Sequence, residues 1–148
     1  KLASNWCIAR TSTPFGIHPT KKSFPLWIKE NLDAKKEIPV LVDQFTTPTY
    51  VPNLSKMLIE IATRQINGII HVSGATRISR YDLAGLIADK FNLDKNLLIP
   101  TKIDTMNWKA QRPKDSSLNT SLASENLNEQ PQKIEKSLEL FINELNSN

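Results

Sequence analysis

The residues of this chain best suited to chemistry fall in three short polar clusters. "RTSTPFG" (residues 10–16) and "DQFTTPTY" (residues 43–50) each follow an apolar run, and "RPKDSSLNT" (residues 112–120) precedes the last helical stretches. An arginine beside several hydroxyls suits an anion. The guanidinium fork matches phosphate oxygens, and serine or threonine hydroxyls can donate to the same oxygens. The same composition also makes ordinary turns, in which hydroxyls cap nearby backbone. On the residues alone both readings stand, an anion-holding set of loops or a set of surface connections.

Other chemistries have less to stand on. The only histidines are His18 and His71, and with the single Cys7 they give no metal-ligand spacing, so no metal site is expected. Cys7 lies in an apolar stretch without a neighbouring base and reads as packing. The four glycines, Gly16, Gly68, Gly74 and Gly85, are too scattered for the phosphate-cradling turn of a dinucleotide site. No Tyr-x-x-x-Lys pair occurs, since Tyr50 and Tyr81 are followed four residues later by Leu54 and Gly85. The chain carries no complete catalytic set, and no catalytic residue is assigned.

The elements that must position the clusters can be read from periodicity. Residues 5–12 and the continuous apolar run 38–43 predict buried strands, as does "IIHVSG" (residues 69–74). A helix is expected from Ser23, its N-cap, with Pro25 tolerated in the first turn and Phe24, Leu26, Trp27, Ile28 and Leu32 at spacings of three and four. A second helix, capped by Asn53, carries Leu54, Met57, Leu58, Ile61 and Ala62 on one side and stops at Asn67-Gly68. "SRYDLAGLIADKF" (residues 79–91) has Ser79 as N-cap and Asp82 three residues on, close to a capping box. "NLLIP" predicts a short strand, a helical turn begins near Asn119, and an amphipathic helix ends the chain. Strands alternating with helices predict an α/β fold with parallel pairing.

Composition narrows the partners. At 148 residues the chain fits a single domain, residues 1–148, with hydrophobic and charged fractions of 39% and 23%. The net charge of +4 is spread along the sequence without the basic stripe of a nucleic-acid binder, so no nucleic acid is expected. No apolar run approaches the ~20 residues of a membrane span and no signal-peptide pattern opens the chain. No membrane association and a cytoplasmic location are expected. The first residue, Lys1, is consistent with a piece of a longer polypeptide.

Five stretches in register carry a resemblance. "RTSTPFG", "VDQFTTPTY", "GIIHVSG", "SRYDLAGLIA" and "RPKDSSLN" resemble the C-terminal half of the dTDP-4-dehydrorhamnose reductase family, within the extended short-chain dehydrogenase/reductases. The resemblance implies a late Rossmann strand followed by a small mixed α/β substrate-binding domain. It implies an NADPH- or NADH-dependent reduction of a 4-keto deoxysugar nucleotide, as in dTDP-rhamnose biosynthesis. The glycine fingerprint and catalytic Tyr-x-x-x-Lys would belong to an N-terminal half, and this chain alone is expected to be inactive.

By the same resemblance, Thr11, Ser12 and Thr13 would lie beside the nicotinamide. Ser23 and Phe24 would open a helix facing the substrate diphosphate. Asp43, Gln44 and Phe45 would line the cleft, Arg112 would contact the diphosphate, and Ser116 would support it. An apolar face is expected where the cofactor-binding half would pack, which makes a homodimer an expected association. The sequence departs from the family at Thr13, where tryptophan is common, and at Thr46 and Thr47, where glycine is common. These departures leave two readings: a reductase for another sugar nucleotide, or a non-catalytic relative like the regulatory subunit of methionine adenosyltransferase.

Overall fold

The computed structural model describes residues 5–147. In chain order the elements are β1 (Cys7–Arg10), β2 (Pro14–Phe15), α1 (Phe24–Asp33), β3 (Ile38–Leu41), β4 (Phe45–Thr46), β5 (Thr49–Tyr50), α2 (Val51–Thr63), β6 (Gly68–His71), β7 (Ile78–Ser79), α3 (Arg80–Lys90), β8 (Leu98–Thr101), α4 (Ser121–Asn126) and α5 (Ile134–Asn146). The strands form parallel pairs β1–β6, β2–β5 and β3–β8 and one antiparallel pair, β4–β7. The α/β class follows from this order, and the parallel pairs are the expected result of helices lying between their strands.

Two apolar clusters hold the elements. α3 packs on the β3–β8 pair, with α1 and α5 against α3, in one cluster of Ile28, Leu32, Leu83, Ile87, Leu138 and Phe141, with Val40 and Leu98 from the strands. α2 and α4 pack on the β1–β6 pair through Met57, Ile61, Ala123 and Leu127, against Ile70. Each helix contributes residues three and four apart, such as Pro25, Ile28 and Leu32 of α1, which places them on one face. Tyr50 ties the first cluster to α5, because its hydroxyl donates to Glu144 Oε2 at 2.6 Å. Burial first, and then the Glu144 carboxylate, raise the Tyr50 pKa well above its usual value.

Among the described residues the β1–β6 pair is covered on one face only. Ile8 and Ile69 are register partners on the other face, and with the neighbouring Trp6 they are 49%, 46% and 49% exposed. This alternation is what a strand pair shows when one face packs and the other does not.

Several boundaries differ from those expected, each for a local reason. β1 and β3 are shorter than residues 5–12 and 38–43, their ladders ending at Arg10 and Leu41. Residues 44–53, where no element was expected, contain β4 and β5, two-residue strands whose partners are distant in sequence and leave no periodic signal. Asn53 does not cap α2. Tyr50 occupies that position, and Asn53 is buried in the first turn, donating to Glu129 Oε1 at 2.7 Å and Gln130 O at 3.1 Å. Ser23 is the N-cap of α1 by backbone but its side chain makes no capping bond. Ser79 caps α3 as expected, its Oγ accepting from Asp82 N at 3.0 Å.

α2 stops at Thr63, before Asn67-Gly68. Gln65 N bonds Ala62 O at 3.3 Å and Ile66 N bonds Ile61 O at 3.0 Å, a Schellman closure with Gln65 at φ 54°. α1 and α3 close the same way, through Lys35 at φ 55° and Asn92 at φ 54°. Glycine is therefore not the stop signal at these three helix ends.

Candidate functional site

The three polar clusters meet in space. The carboxyl end of β1 delivers Ser12, whose buried Oγ lies 2.9 Å from Thr46 Oγ1 and donates to Ser116 O at 2.8 Å. One hydroxyl thus joins all three clusters. Thr13 adds its own hydroxyl contact to Thr46. Thr49 Oγ1 donates to Ser12 O at 2.6 Å and Thr49 N to Thr13 O at 3.1 Å. Phe45 N bonds Lys114 O at 2.8 Å and Ser116 N bonds Phe45 O at 3.0 Å, so the third cluster runs alongside β4. Buried hydroxyls are costly without partners, and here Thr46, Thr47, Thr49 and Ser73 each have one, Thr47 Oγ1 donating to Ser73 Oγ at 3.0 Å.

Thr13 sits at φ 44°, a left-handed conformation that a β-branched residue adopts only under constraint. The bonds to its carbonyl and hydroxyl supply that constraint. Because Ser12 and Thr13 bond the protein itself, Thr11, exposed at the end of β1, is the member of the expected cofactor trio whose side chain stands open.

Beside this junction lies a cleft of about 330 Å³. Phe24 and Trp27 of α1 form one wall, their rings stacked at 6.0 Å and 23°. Met106 and Trp108 contribute from the segment before the third cluster, and Val40 and Leu41 from β3. Its amide and charged side chains are Gln44, Arg80 and Arg112. The Arg80 guanidinium lies 5.0 Å from the centre of the Phe24 ring, and that of Arg112 lies 5.3 Å from the Trp108 ring. Such placements are cation–π contacts.

Gln44 holds both arginine-bearing segments. Its carbonyl accepts from Arg80 N at 2.9 Å, and its Nε2 donates to Pro113 O at 3.3 Å. Burial, and after it the charge of Arg112, lower the Arg80 pKa from its ordinary value, although an arginine remains a cation. Among the described residues no carboxylate pairs with either guanidinium. Arg77, three positions before Arg80, is by contrast bonded to Asp115 Oδ2 at 2.9 and 2.8 Å and lies over the Phe45 ring. A larger hollow of about 610 Å³ shares Met106, Trp108 and Arg112, but residues 103–114 alone form it, so no second element encloses a ligand there.

The cleft therefore gathers Phe24, Gln44 and Arg112 from the residues expected at a substrate site. Asp43 is turned to the backbone, its Oδ1 accepting from Ile103 N at 2.8 Å. Phe45 packs under Arg77, and Ser116 Oγ donates to Phe45 O at 3.2 Å. Ser23 Oγ, at the head of α1, is buried with no hydrogen-bond partner among the described residues. Arg80, Trp27, Met106 and Trp108 were not anticipated as site residues. One signal for Arg80 was present: a cation in the first turn of a helix opposes the helix dipole. Among the described residues no group of three or more His, Cys, Asp or Glu could hold a metal ion, and no helix is long and apolar enough to cross a membrane.

The family described as RmlD substrate binding domain matches residues 1–147. A crystal structure of dTDP-4-dehydrorhamnose reductase from Bacillus anthracis, in complex with NADP, superposes with a TM-score of 0.84 at 28% identity, covering 93% of this chain and 48% of that one. A probable low-salt glycan biosynthesis reductase of Haloferax volcanii is 26% identical over 98 residues, 66% of this chain and 33% of that protein. Methionine adenosyltransferase 2 subunit beta of Rattus norvegicus is 34% identical over 79 residues, 50% of this chain and 23% of that protein. The chain thus spans about a third of the first curated relative and about half of the solved reductase.

Proposed function

This chain belongs to the RmlD substrate binding domain family, and on that premise we propose that its aromatic cleft holds the diphosphate of a nucleotide-sugar. The protein acting through it is a dTDP-4-dehydrorhamnose reductase-like oxidoreductase that reduces a 4-keto deoxysugar nucleotide with NADPH or NADH. The observation that carries this reading is the presence of Phe24, Gln44 and Arg112, drawn from three separate segments, in one cleft. Arg112 contacts the diphosphate, with Pro113 fixing the backbone that presents it. The N-terminus of α1, with Ser23 and Phe24, adds the positive end of a helix dipole.

A nicotinamide cofactor supplies hydride when bound. The residues here fit a wall beside such a ring and no more. Thr11 offers a free hydroxyl, while Ser12 and Thr13 are bonded internally and set the wall's shape. Nothing in the chain resembles a pyrophosphate cradle, so the cofactor is held mainly by residues outside it. The exposed face of Trp6, Ile8 and Ile69 is the surface on which a cofactor-binding half would pack. The role of this chain is positioning and charge neutralisation.

A second reading, a non-catalytic binding or regulatory homologue, rests on the likeness to the methionine adenosyltransferase subunit. Calorimetric titration of the chain with dTDP tests the first proposal. Arg112→Ala is expected to raise the Kd by roughly 10- to 100-fold, the factor for one charge-assisted hydrogen bond. An unchanged Kd overturns the assignment. Binding of dTDP without keto-sugar reduction, when the chain is joined to a Tyr-x-x-x-Lys-bearing half, would favour the second reading.

A further inference from the structure

We propose that Arg80 is a second anion-binding residue of the cleft, and that with Arg112 it makes the site select ligands carrying two adjacent phosphates over those carrying one. The proposal rests on reading the cleft as a nucleotide-sugar site, and it assigns a residue which that reading leaves unused.

The placement of Arg80 is unfavourable unless an anion completes it. Its guanidinium shares the cleft with Arg112, and among the described residues neither has a carboxylate partner. Like charges in a partly desolvated space repel more strongly than on an open surface. Arg80 also occupies the first position of α3, where the unpaired N–H groups of the helix already create positive potential. Asp82 offsets part of this, but its carboxylate accepts from Ser79 Oγ at 2.6 Å as part of the cap. Arg77 and Arg64 are each set against an acid, Asp115 and Glu60. Arg80 and Arg112 instead share one cleft with each other.

The arrangement is also held in place. The β4–β7 pairing and the bond from Arg80 N to Gln44 O at 2.9 Å fix the main chain of Arg80. The Phe24 ring at 5.0 Å supports its guanidinium as the Trp108 ring supports that of Arg112. Two planar forks, each laid on an aromatic ring, present donors suited to phosphate oxygens. A single phosphate satisfies one fork and leaves the other charge uncompensated. Two adjacent phosphates engage both.

Titration calorimetry with dTDP and dTMP tests the proposal on the wild-type chain and on Arg80→Gln, Arg80→Lys and Arg112→Gln. Arg80→Gln should weaken dTDP binding by about tenfold or more, the effect of one lost charge-assisted contact, and dTMP binding much less. Arg80→Lys should fall between, since it keeps the charge and loses the fork. The ligand-free thermal midpoint of Arg80→Gln should hold or rise, because a repulsion is removed. If Arg80→Gln lowers that midpoint and leaves the dTDP-to-dTMP preference intact, Arg80 is only a structural plate against Phe24, and the proposal is overturned. Loss of dTDP binding in Arg112→Gln with none in Arg80→Gln leaves the cleft reading standing and defeats this inference. If the wild-type chain binds neither nucleotide, both fall.

Discussion

The carbonyl of Gln44 accepts from the N–H of Arg80 at 2.9 Å, while the side chain of the same Gln44 reaches Pro113 O at 3.3 Å. One residue between β3 and β4 therefore sets the distance between the two segments that bear the cleft's arginines. It lies in the second polar cluster, and it couples the start of α3 to the third.

Removing only the side-chain half of that coupling gives a sharp outcome. Gln44→Leu retains the carbonyl that holds Arg80 and removes the bond to Pro113 O, leaving the Arg112 segment held by the Phe45–Lys114 and Ser116–Phe45 backbone bonds. Binding of dTDP should weaken by about 0.5–1.5 kcal/mol, the net worth of one neutral hydrogen bond, with little change in the thermal midpoint. Equal Kd values by calorimetry would show that Pro113 is held without Gln44.

Gly74 is required by a close approach. A Cβ there would collide with the carbonyl oxygen of Pro48, and Gly74 N donates to Thr49 Oγ1 at 3.1 Å. Gly74→Ala should cost about 1–3 kcal/mol by overpacking, read from denaturant unfolding. A stability within error of wild type would mean that the 45–50 segment yields without cost.

Acid should loosen the join between α2 and the segment after α4. Glu60 accepts from Asn128 N at 2.8 Å and Glu129 N at 2.8 Å, and also from Arg64. Those backbone N–H groups first, and Arg64 after them, lower the Glu60 pKa to about 2. Its folded pKa lies below the unfolded value of about 4.3, so its contribution is complete above that pH and is lost as pH falls towards about 2. Glu60→Gln should be less stable than wild type at neutral pH, with the difference shrinking below about pH 4.5. A pH-independent difference in thermal midpoint would contradict this.

Lys35 pays a conformational cost as the left-handed residue closing α1, at φ 55°. Lys35→Gly should stabilise the chain by about 0.5–1 kcal/mol, the relief of Cβ strain less the added freedom of the unfolded glycine. A lowered thermal midpoint would show that the lysine side chain contributes more than its backbone costs.

Much of this chain is legible without coordinates. The apolar spacing of α1, α2, α3 and α5 and the Ser79–Asp82 cap are local, since side chains a few residues apart share one helix face whatever lies beyond. The order of strands and helices, and the placing of polar clusters after β1 and β3, follow from the same short-range patterns. It was the resemblance of those stretches to a known family, and not their periodicity, that implied Phe24, Gln44 and Arg112 at a substrate site. Only the tertiary structure decided what meets what. β4, β5 and β7 exist because distant segments pair, Ser12 joins Thr46 to Ser116, and Arg80 shares a cleft with Arg112, 32 positions later in the numbering. Periodicity reports which face of an element is apolar. Which charges share a low-dielectric space depends on distances through the fold, and those distances no local pattern encodes.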